Sequence, residues 1–415
     1  MFQPTNRRSF LISSIAAGTL LGRLQAEGLP ENSPSYWDSI RGMYPFREEK
    51  VPMNSANLCP SPRIVSSHVT NWTEDIDQDC SFNNRAKYSE LRETARKGIA
   101  SQLHIDSDEL ALVRNTSEAN NIINNGFPLS PGEEVVLWDQ NHPTNLVAWQ
   151  VRAKRFGIHV KTVSTPENPS SRGQLIAPFE ESLGPRTRVL AVSHLSNVSG
   201  IRLPMKELTE RAHRRGIYVH VDGAQTWGAF DLNLAEIGCD SYSASSHKWF
   251  MGPKEAGILY VKRDWIEKIW PSVIAPGWGA DAETNLVGAR KFESLGQRDD
   301  ACLAAMGVAC DFLKGIGMPR VQARIQELSH HLKSELVGLG ATLVTPEKPE
   351  LSGGVCIMRV ASAQRRELQT RLYEEYGIAA AGTGGLRLCP HIYNTQDHLD
   401  RALRGVREMR SLWKS

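Results

Sequence analysis

The sequence lacks an excess of charge of either sign, and it lacks long apolar runs beyond its N-terminus. Its 48 lysine and arginine residues are balanced by 46 aspartate and glutamate residues, so the formal net charge is +2. Without a basic stripe, nucleic acid is not an expected partner. No apolar run of about 18 residues occurs outside the N-terminus, which argues against a membrane-spanning helix there. Internal repeats and low-complexity tracts are also absent.

Cysteine spacings typical of metal sites are missing as well. The seven cysteines are scattered, and none of them form a C-x-x-C pair. An odd number of scattered cysteines in a chain this long predicts neither a disulfide framework nor a metal site. Free thiols suit a protein that folds in a reducing compartment. The length of 415 residues and the hydrophobic content of 40% predict one large globular unit with two subdomains.

The N-terminal residues 1–26 have the order of features found in an export signal. Arg7 and Arg8 form a twin-arginine pair, an uncharged run follows at residues 10–22, and Ala26 ends a small-residue cleavage site. The pattern predicts export of the folded protein to the periplasm by the twin-arginine machinery, with no stable membrane span after cleavage. The alternative is an N-terminal arm that is disordered or lies on a membrane surface, in which case the protein is cytoplasmic.

A short apolar strand and a second strand-like run lead to an acid and to a lysine. Residues 216–221 end on Asp222, and residues 241–245 are followed by Lys248. In parallel α/β sheets, ligands bind at the carboxyl ends of strands, so both side chains are expected at one site. A lysine that condenses with an aldehyde needs a desolvated pocket, which lowers its pKa. A carboxylate held against a pyridine nitrogen keeps that nitrogen protonated, so the ring can take up electrons.

The same stretch resembles the class V aminotransferase family of pyridoxal-phosphate (PLP) enzymes, which includes cysteine desulfurases and isopenicillin N epimerase-like proteins. That family has a D-x-x-Q pair followed by S-x-H-K, and here Asp222, Gln225, Ser245, His247 and Lys248 match it. The resemblance implies that Lys248 is the Schiff-base lysine and that Asp222 pairs with the pyridinium nitrogen. It also implies that Gln225 bonds the ring hydroxyl oxygen, and that Ser245 and His247 hold the phosphate.

Further cofactor contacts are implied by the loops after earlier strands. A strand at residues 109–114 breaks into a helix at Thr116 and Ser117, and a helix start with hydroxyl side chains suits a phosphate. The resemblance assigns Thr116 and Ser117 to the phosphate, with an ordinary helix cap as the alternative. It places His142 on the face of the cofactor, with capping of the helix at residues 144–155 as the alternative. It also implies that Asn197 bonds the ring hydroxyl oxygen.

Substrate contacts are implied on three other segments. Arg387 lies in a stretch similar to the family's R-x-S-x-x-x-Y-N-T pattern, and its planar fork suits the carboxylate of an amino acid. A structural salt bridge is the alternative. Asn57 and Asn145 are candidate substrate ligands. Gln297 replaces the family's threonine that reaches the phosphate from a partner subunit, so a homodimer with shared active sites is expected.

The resemblance implies an α/β protein of PLP-dependent transferase fold type I. Its large domain, residues 66–298, is expected to hold a mostly parallel, seven-stranded sheet. Residues 27–65 form an N-terminal segment before it, and residues 299–415 form a smaller α+β domain after it. Alternating strands and helices also favour right-handed crossovers and a parallel sheet.

The reaction is less closely specified than the cofactor. A cysteine desulfurase needs a reactive cysteine on the loop before Arg387, and residues 379–385 contain none. The desulfurase reaction is therefore rejected. The prediction is an epimerase-like enzyme that acts at Cα of an amino acid or amino-acid moiety, with Lys248 taking the proton. The alternatives are an aminotransferase proper, a β-lyase on a sulfur-containing amino acid, and a non-catalytic binding protein, against which intact Asp222, Gln225 and Lys248 argue.

Overall fold

A computed structural model describes residues 33–274 and 287–414 of the chain. The predicted export signal, residues 1–26, lies outside these residues. In chain order the strands are β1 (Val51–Pro52), β2 (Leu110–Val113), β3 (Glu134–Trp138), β4 (His159–Val163), β5 (Thr187–Ser193), β6 (Tyr218–Asp222), β7 (Ser241–Ser245), β8 (Gly257–Val261), β9 (Cys356–Met358), β10 (Ile378–Ala379) and β11 (Leu386–Leu388).

The helices of the described residues surround these strands. In chain order they are α1 (Pro34–Gly42), α2 (Arg63–Gln78), α3 (Phe82–Leu103), α4 (Thr116–Gly126), α5 (Pro143–Phe156), α6 (Arg172–Ser182), α7 (Met205–His213), α8 (Leu234–Ile237), α9 (Arg263–Ile266), α10 (Asp300–Ile316), α11 (Met318–Gly338), α12 (Ser362–Tyr376) and α13 (Gln396–Glu408). In this part of the chain no single helix is long and apolar enough to cross a membrane, although α10 and α11, bent by 78° at their junction, pass that test together.

One seven-stranded sheet has the order β2-β8-β7-β6-β5-β3-β4. The neighbouring pairs β4-β3, β3-β5, β5-β6 and β6-β7 are parallel. Strand β8 runs antiparallel to both of its neighbours, β2 and β7. This arrangement confirms the predicted α/β fold with a mostly parallel sheet. Because parallel strands point the same way, the residues that follow β5, β6 and β7 gather at one edge of the sheet.

The sheet is buried on both faces, as parallel sheets covered by helices are. Along β2, Leu110 and Leu112 contribute to the hydrophobic core on one face, and Ala111 and Val113 contribute to the core on the other. This alternation follows from the two-residue period of a strand. β2 therefore reads as a continuous apolar run, whereas β7 alternates serine with Tyr242 and Ala244 and is still buried at every position.

The remaining strands form two small sheets. Strands β9 and β11 pair antiparallel, with Arg387 opposite Ile357, and β1 pairs parallel with β10. No helix was predicted in the N-terminal segment before the large sheet, but it contains α1, whose Tyr36 and Trp37 are buried in the main core. The segment therefore packs against the main core through α1 and pairs with β10 through β1.

Candidate active site

Asp222 ends one strand and Lys248 follows the neighbouring parallel strand, as the sequence predicted. Asp222 is the last residue of β6 and pairs with Ser193 of β5 and Ser243 of β7, and Lys248 comes soon after the end of β7. Asp222 is 3% exposed. Its two carboxylate oxygens accept hydrogen bonds from Nδ2 of Asn120 at 2.9 Å and from the backbone N–H of Ala224 at 3.0 Å. The carboxylate is therefore held in one orientation.

Lys248 sits in surroundings that disfavour its charged form. Burial lowers the pKa of its amine, the negative charge of Asp222 acts in the opposite direction, and the positive charge of Arg387 lowers the pKa further. Asp222 and Arg387 are thus the charged groups whose fields reach Lys248. A lysine with a lowered pKa is more often a free amine near neutral pH, which is what a nucleophile or base requires.

The beginning of α4 and the end of β7 form a polar cradle. The backbone N–H of Thr116 donates to Oγ of Ser245 at 2.8 Å, and the two hydroxyls lie 2.7 Å apart. Asn115 caps the helix by accepting from the N–H of Glu118 at 3.0 Å. Between these two bonded N–H groups, the N–H and hydroxyl of the half-buried Ser117, together with the hydroxyl of Thr116, can donate to a phosphate at the start of this 11-residue helix.

His247 is half-buried next to this cradle. Burial lowers its pKa to about 4, and the charges of Lys248 and Lys254 act in the same direction. The imidazole is therefore neutral near pH 7. It can donate one hydrogen bond to an anion but does not add a charge there.

His142 caps α5, which was the alternative considered for it. Its Nδ1 accepts from the backbone N–H of Thr144 at 3.3 Å and lies 2.8 Å from the Thr144 hydroxyl. The N–H must be the donor, so the neutral ring carries its proton on Nε2. Burial and the charge of Lys248 lower the pKa of His142, whereas Asp222 raises it, so the ring also lies near the lysine. Capping and a place over the cofactor are compatible, because they use different parts of the ring.

Asn145, in the first turn of α5, is fully buried, and neither polar atom of its side chain has a hydrogen-bond partner. An unpaired buried amide costs free energy, so this side chain has capacity for a ligand that the protein alone does not use.

Gln225 is fixed at both ends of its amide. Its Nε2 donates to the carbonyl of Ala56 at 2.9 Å, and its Oε1 accepts from Nε1 of Trp249 at 2.8 Å. Because the indole N–H can only donate, the amide cannot flip, and one N–H of Gln225 remains available. Asn197 is half-buried on the loop after β5.

Arg387 points back from β11 towards the large sheet and is 4% exposed. Its guanidinium donates to the carbonyl of Asn197 at 2.9 Å and to Oδ1 of Asn54 at 2.9 Å. Its Nε has no partner, and no carboxylate pairs with it among the described residues. The structure therefore does not contain the salt bridge that was the alternative, and Arg387 keeps its charge for another anion.

The asparagine that meets Arg387 is Asn54, which the sequence argument did not single out. Asn57, the residue proposed from the sequence, is exposed, and its backbone N–H donates to the carbonyl of Asn54 at 2.9 Å within a turn. The substrate role of Asn57 stays a prediction, whereas Asn54 has a contact that places it at the site.

Gln297 uses its side-chain amide for contacts within its own chain. Its Oε1 accepts from Arg85 at 2.6 Å, and its Nε2 donates to the carbonyl of Arg298. It lines a cavity of about 560 Å³ whose walls also include Arg290 and Asp300. The phosphate role of Gln297 stays a prediction.

The cysteine nearest to Arg387 in the sequence is packed rather than reactive. Cys389 is fully buried, and burial raises the pKa of its thiol. A buried thiol with a raised pKa is a poor nucleophile. Residues 379–385, which run up to β11, contain no cysteine. The structure thus offers no thiolate beside the candidate carboxylate anchor.

Comparison with known proteins gives one family and several relatives. The family model for aminotransferase class-V matches residues 79–404. Isopenicillin N epimerase of Streptomyces clavuligerus is 31% identical over 382 residues, covering 88% of this chain and 96% of that protein. The protein of the same name from Amycolatopsis lactamdurans is 30% identical over 392 residues, covering 90% and 98%. A cysteine desulfurase of Escherichia coli (strain K12 / DH10B) is 28% identical over 351 residues, covering 79% and 84%.

Solved structures share the fold at lower identity. A mutant of C-DES with glycine covalently linked to its PLP cofactor superposes with a TM-score of 0.81 at 22% identity, covering 89% of this chain and 99% of that one. The cysteine desulfurase CsdA of Escherichia coli gives a TM-score of 0.80 at 22% identity, covering 92% and 99%.

Proposed function

Since the chain belongs to the aminotransferase class-V family and is a PLP-dependent enzyme, we propose that it inverts the configuration at Cα of an amino acid or amino-acid moiety. The observation that carries this proposal is that the amine of Lys248 is desolvated by burial and feels the charges of both Asp222 and Arg387, whose guanidinium pairs with no carboxylate among the described residues. A base, a ring-nitrogen partner and a carboxylate anchor therefore act on one another.

The residues present fit the cofactor. The first turn of α4, with Thr116, Ser117 and Ser245, offers N–H and hydroxyl donors for the phosphate. Asp222 offers a buried carboxylate for the ring nitrogen, and Gln225 keeps one N–H available for the ring hydroxyl oxygen. Asn197, half-buried on the loop after β5, is the second candidate for that oxygen.

Bound PLP supplies an aldehyde that condenses with amines and a protonated ring that takes up the electron pair released at Cα. Arg387 binds the substrate carboxylate and so fixes which bond at Cα faces Lys248. The free amine of Lys248 takes the Cα proton as the C–H bond breaks. Return of a proton to the opposite face of the same carbon inverts the centre, and no oxidant or second substrate is consumed.

His142 is the candidate group for the second face. Its Nδ1 lies against Thr144, so the Nε2 edge is the one left for the substrate, and the ring returns a proton there only from its imidazolium form, in which Nδ1–H donates to the Thr144 hydroxyl. The choice of epimerisation over other reactions is supported by the two isopenicillin N epimerases, which are relatives over nearly the whole chain. The missing cysteine in residues 379–385 and the buried Cys389 argue against desulfuration.

An absorbance spectrum tests the cofactor and its lysine. Purified protein is loaded with PLP and compared with Lys248→Ala. We expect a visible band from the lysine-bound cofactor in the wild type, which borohydride removes and which the variant lacks. A wild type that stays colourless with added PLP would contradict the proposal.

We also propose a homodimer with shared active sites. The support is that the Gln297 side chain is hydrogen-bonded to Arg85 and to the carbonyl of Arg298 in its own chain, and that the family resemblance assigns this position to the phosphate in the partner subunit's site. Light scattering measures the mass. In a mixed dimer of Gln297→Ala and Lys248→Ala chains, one site then has both wild-type residues and should regain wild-type cofactor affinity, whereas unchanged weak binding would contradict a shared site.

Export by the twin-arginine route remains a proposal that rests on residues 1–26 alone. Replacing Arg7 and Arg8 together by lysine should leave the protein in the cytoplasm with its signal attached. Fractionation of cells that express both versions measures this. Equal amounts of both versions in the periplasm would contradict the twin-arginine route, and the cytoplasmic alternative would follow if neither version were exported.

A further inference from the structure

Helix α4 contacts the site at two successive turns. Thr116, in its first turn, meets Ser245, and Asn120, four residues later, meets Asp222. Residues four apart lie on the same face of a helix, about 6 Å apart along its axis. The helix that offers its N-terminus to the phosphate therefore also holds the carboxylate assigned to the ring nitrogen.

The amide of Asn120 has only one possible orientation. Its Oδ1 accepts from the hydroxyl of Ser243 at 2.6 Å and lies 2.9 Å from Nε2 of His220. Its Nδ2 donates to Oδ2 of Asp222 at 2.9 Å. An ionised carboxylate can only accept, so Nδ2 must face Asp222, and His220 must donate through Nε2–H.

The donors behind Asn120 are themselves fixed. Nδ1 of His220 lies 2.7 Å from the hydroxyl of Ser241, which must donate to it. Burial lowers the pKa of His220 to about 3, so the ring is neutral and keeps this donor pattern. A directed series of hydrogen bonds thus runs from Ser241 through His220 and Asn120 to Asp222, and all four side chains are at most 3% exposed.

We propose that Asn120 is a positioning residue for the cofactor that acts through Asp222, an inference that rests on the proposed function. The amide holds the carboxylate at the angle needed to meet the ring nitrogen while the phosphate is bound one turn earlier on the same helix. Hydrogen bonds to charged groups are stronger than neutral ones, and a buried carboxylate that loses a donor is left partly unsatisfied.

A double-mutant cycle on cofactor affinity tests this role. PLP is titrated into the apoenzyme of the wild type, Asn120→Ala, Asp222→Ala and the double variant. We expect Asn120→Ala to weaken PLP binding about tenfold in the wild-type background, as expected for a lost hydrogen bond to a charged group. In the Asp222→Ala background, the same change should alter affinity less than about twofold, because the residue through which Asn120 acts is gone.

A merely structural role for Asn120 gives another result. If it only supported the packing of α4, Asn120→Ala would weaken PLP binding equally in both backgrounds, and that outcome overturns the inference. The control is Asn125→Ala, an exposed asparagine on the same helix that should bind PLP as the wild type does. If Asn120→Ala does not fold, Asn120→Ser takes its place in the cycle with the same two expectations.

The outcomes separate this inference from the proposed function. A wild type that binds no PLP overturns both. A wild type that binds PLP, together with an Asn120→Ala variant of unchanged affinity or with equal losses in both backgrounds, overturns the inference alone.

Discussion

Oδ1 of Asn54 accepts a hydrogen bond from the guanidinium of Arg387 at 2.9 Å, across 333 positions of sequence. The carbonyl of Asn197 accepts a second one at 2.9 Å. Because neither partner carries a charge, the two bonds orient the planar fork without neutralising it. Arg387 is thus oriented for a carboxylate before any substrate arrives.

We expect substitutions at this pair to raise KM for amino-acid substrates. Arg387→Lys keeps the charge but loses the fork, and should raise KM about tenfold to a hundredfold. Asn54→Ala removes one orienting bond and should raise KM about threefold to tenfold. Steady-state kinetics on one substrate measures both. Asn57→Ala is the matched control, and a larger effect at Asn57 than at Asn54 would show that the sequence-based choice of Asn57 was the better one.

The loading of cofactor should depend on pH through Lys248. The amine must be deprotonated to react, and its lowered pKa lets it react at lower pH than an ordinary lysine. Removing the positive charge in Arg387→Ala raises the pKa of Lys248, so the curve of loading rate against pH should move to higher pH. Stopped-flow absorbance on the apoenzyme measures the curve, and a shift to lower pH would contradict the assigned charge effect.

The two roles of His142 can be separated by choice of substitution. His142→Asn keeps a side chain that caps helices well, whereas His142→Ala loses the cap and should cost about 1 kcal/mol of stability. Both lose the ring and should slow Cα proton exchange equally. Urea unfolding and exchange rates are measured side by side, and full exchange activity in His142→Asn would limit this residue to capping.

Two buried histidines should make the fold acid-sensitive. Burial lowers the pKa values of His194 and His220 to about 3 from 6.5, with Arg202 adding to the effect on His194. Below pH 6.5 the unfolded chain binds more protons than the native one, so the unfolding free energy falls as pH falls, by about 1.4 kcal/mol per pH unit for each histidine.

The variant His194→Leu isolates one of these contributions. Urea unfolding at about pH 6 and about pH 4 should show a pH slope smaller by about 1.4 kcal/mol per unit in this variant than in the wild type. An unchanged slope would mean that His194 titrates alike in the folded and unfolded states. Its Nδ1 has no hydrogen-bond partner, so the substitution breaks no bond made by that atom.

Much of the fold could be predicted because local signals agreed with the tertiary structure. The strands predicted at residues 216–221 and 241–245 correspond to β6 and β7, and they lead to Asp222 and Lys248 as expected. The helix α1 was missed because a proline- and asparagine-rich segment indicates a loop. Burial of Tyr36 and Trp37 against the core outweighs that local preference.

The site could be predicted in its motif residues but not in the residues that orient them. Asp222 and Lys248 stand at the ends of recognisable strands. Asn54 and Asn57 lie in the same turn, and Arg387 lies on a strand more than 300 positions away. The sequence therefore did not show which of the two asparagines meets Arg387. Asn120 had a usable signal, since it lies four residues after Thr116 on one helix face, but its partner could be seen only once β6 was placed beside α4.

The central claim is that Lys248 removes the Cα proton and that return of a proton to the opposite face inverts the centre. The direct measurement is incubation of PLP-loaded enzyme in D2O with single enantiomers of amino acids and with isopenicillin N, followed by NMR and chiral chromatography. The account predicts deuterium at Cα together with the inverted isomer in the wild type, and neither in Lys248→Ala. Formation of a keto acid only with an added amino acceptor, or of cleaved sulfur products, without inversion, would contradict it and favour the aminotransferase or the β-lyase.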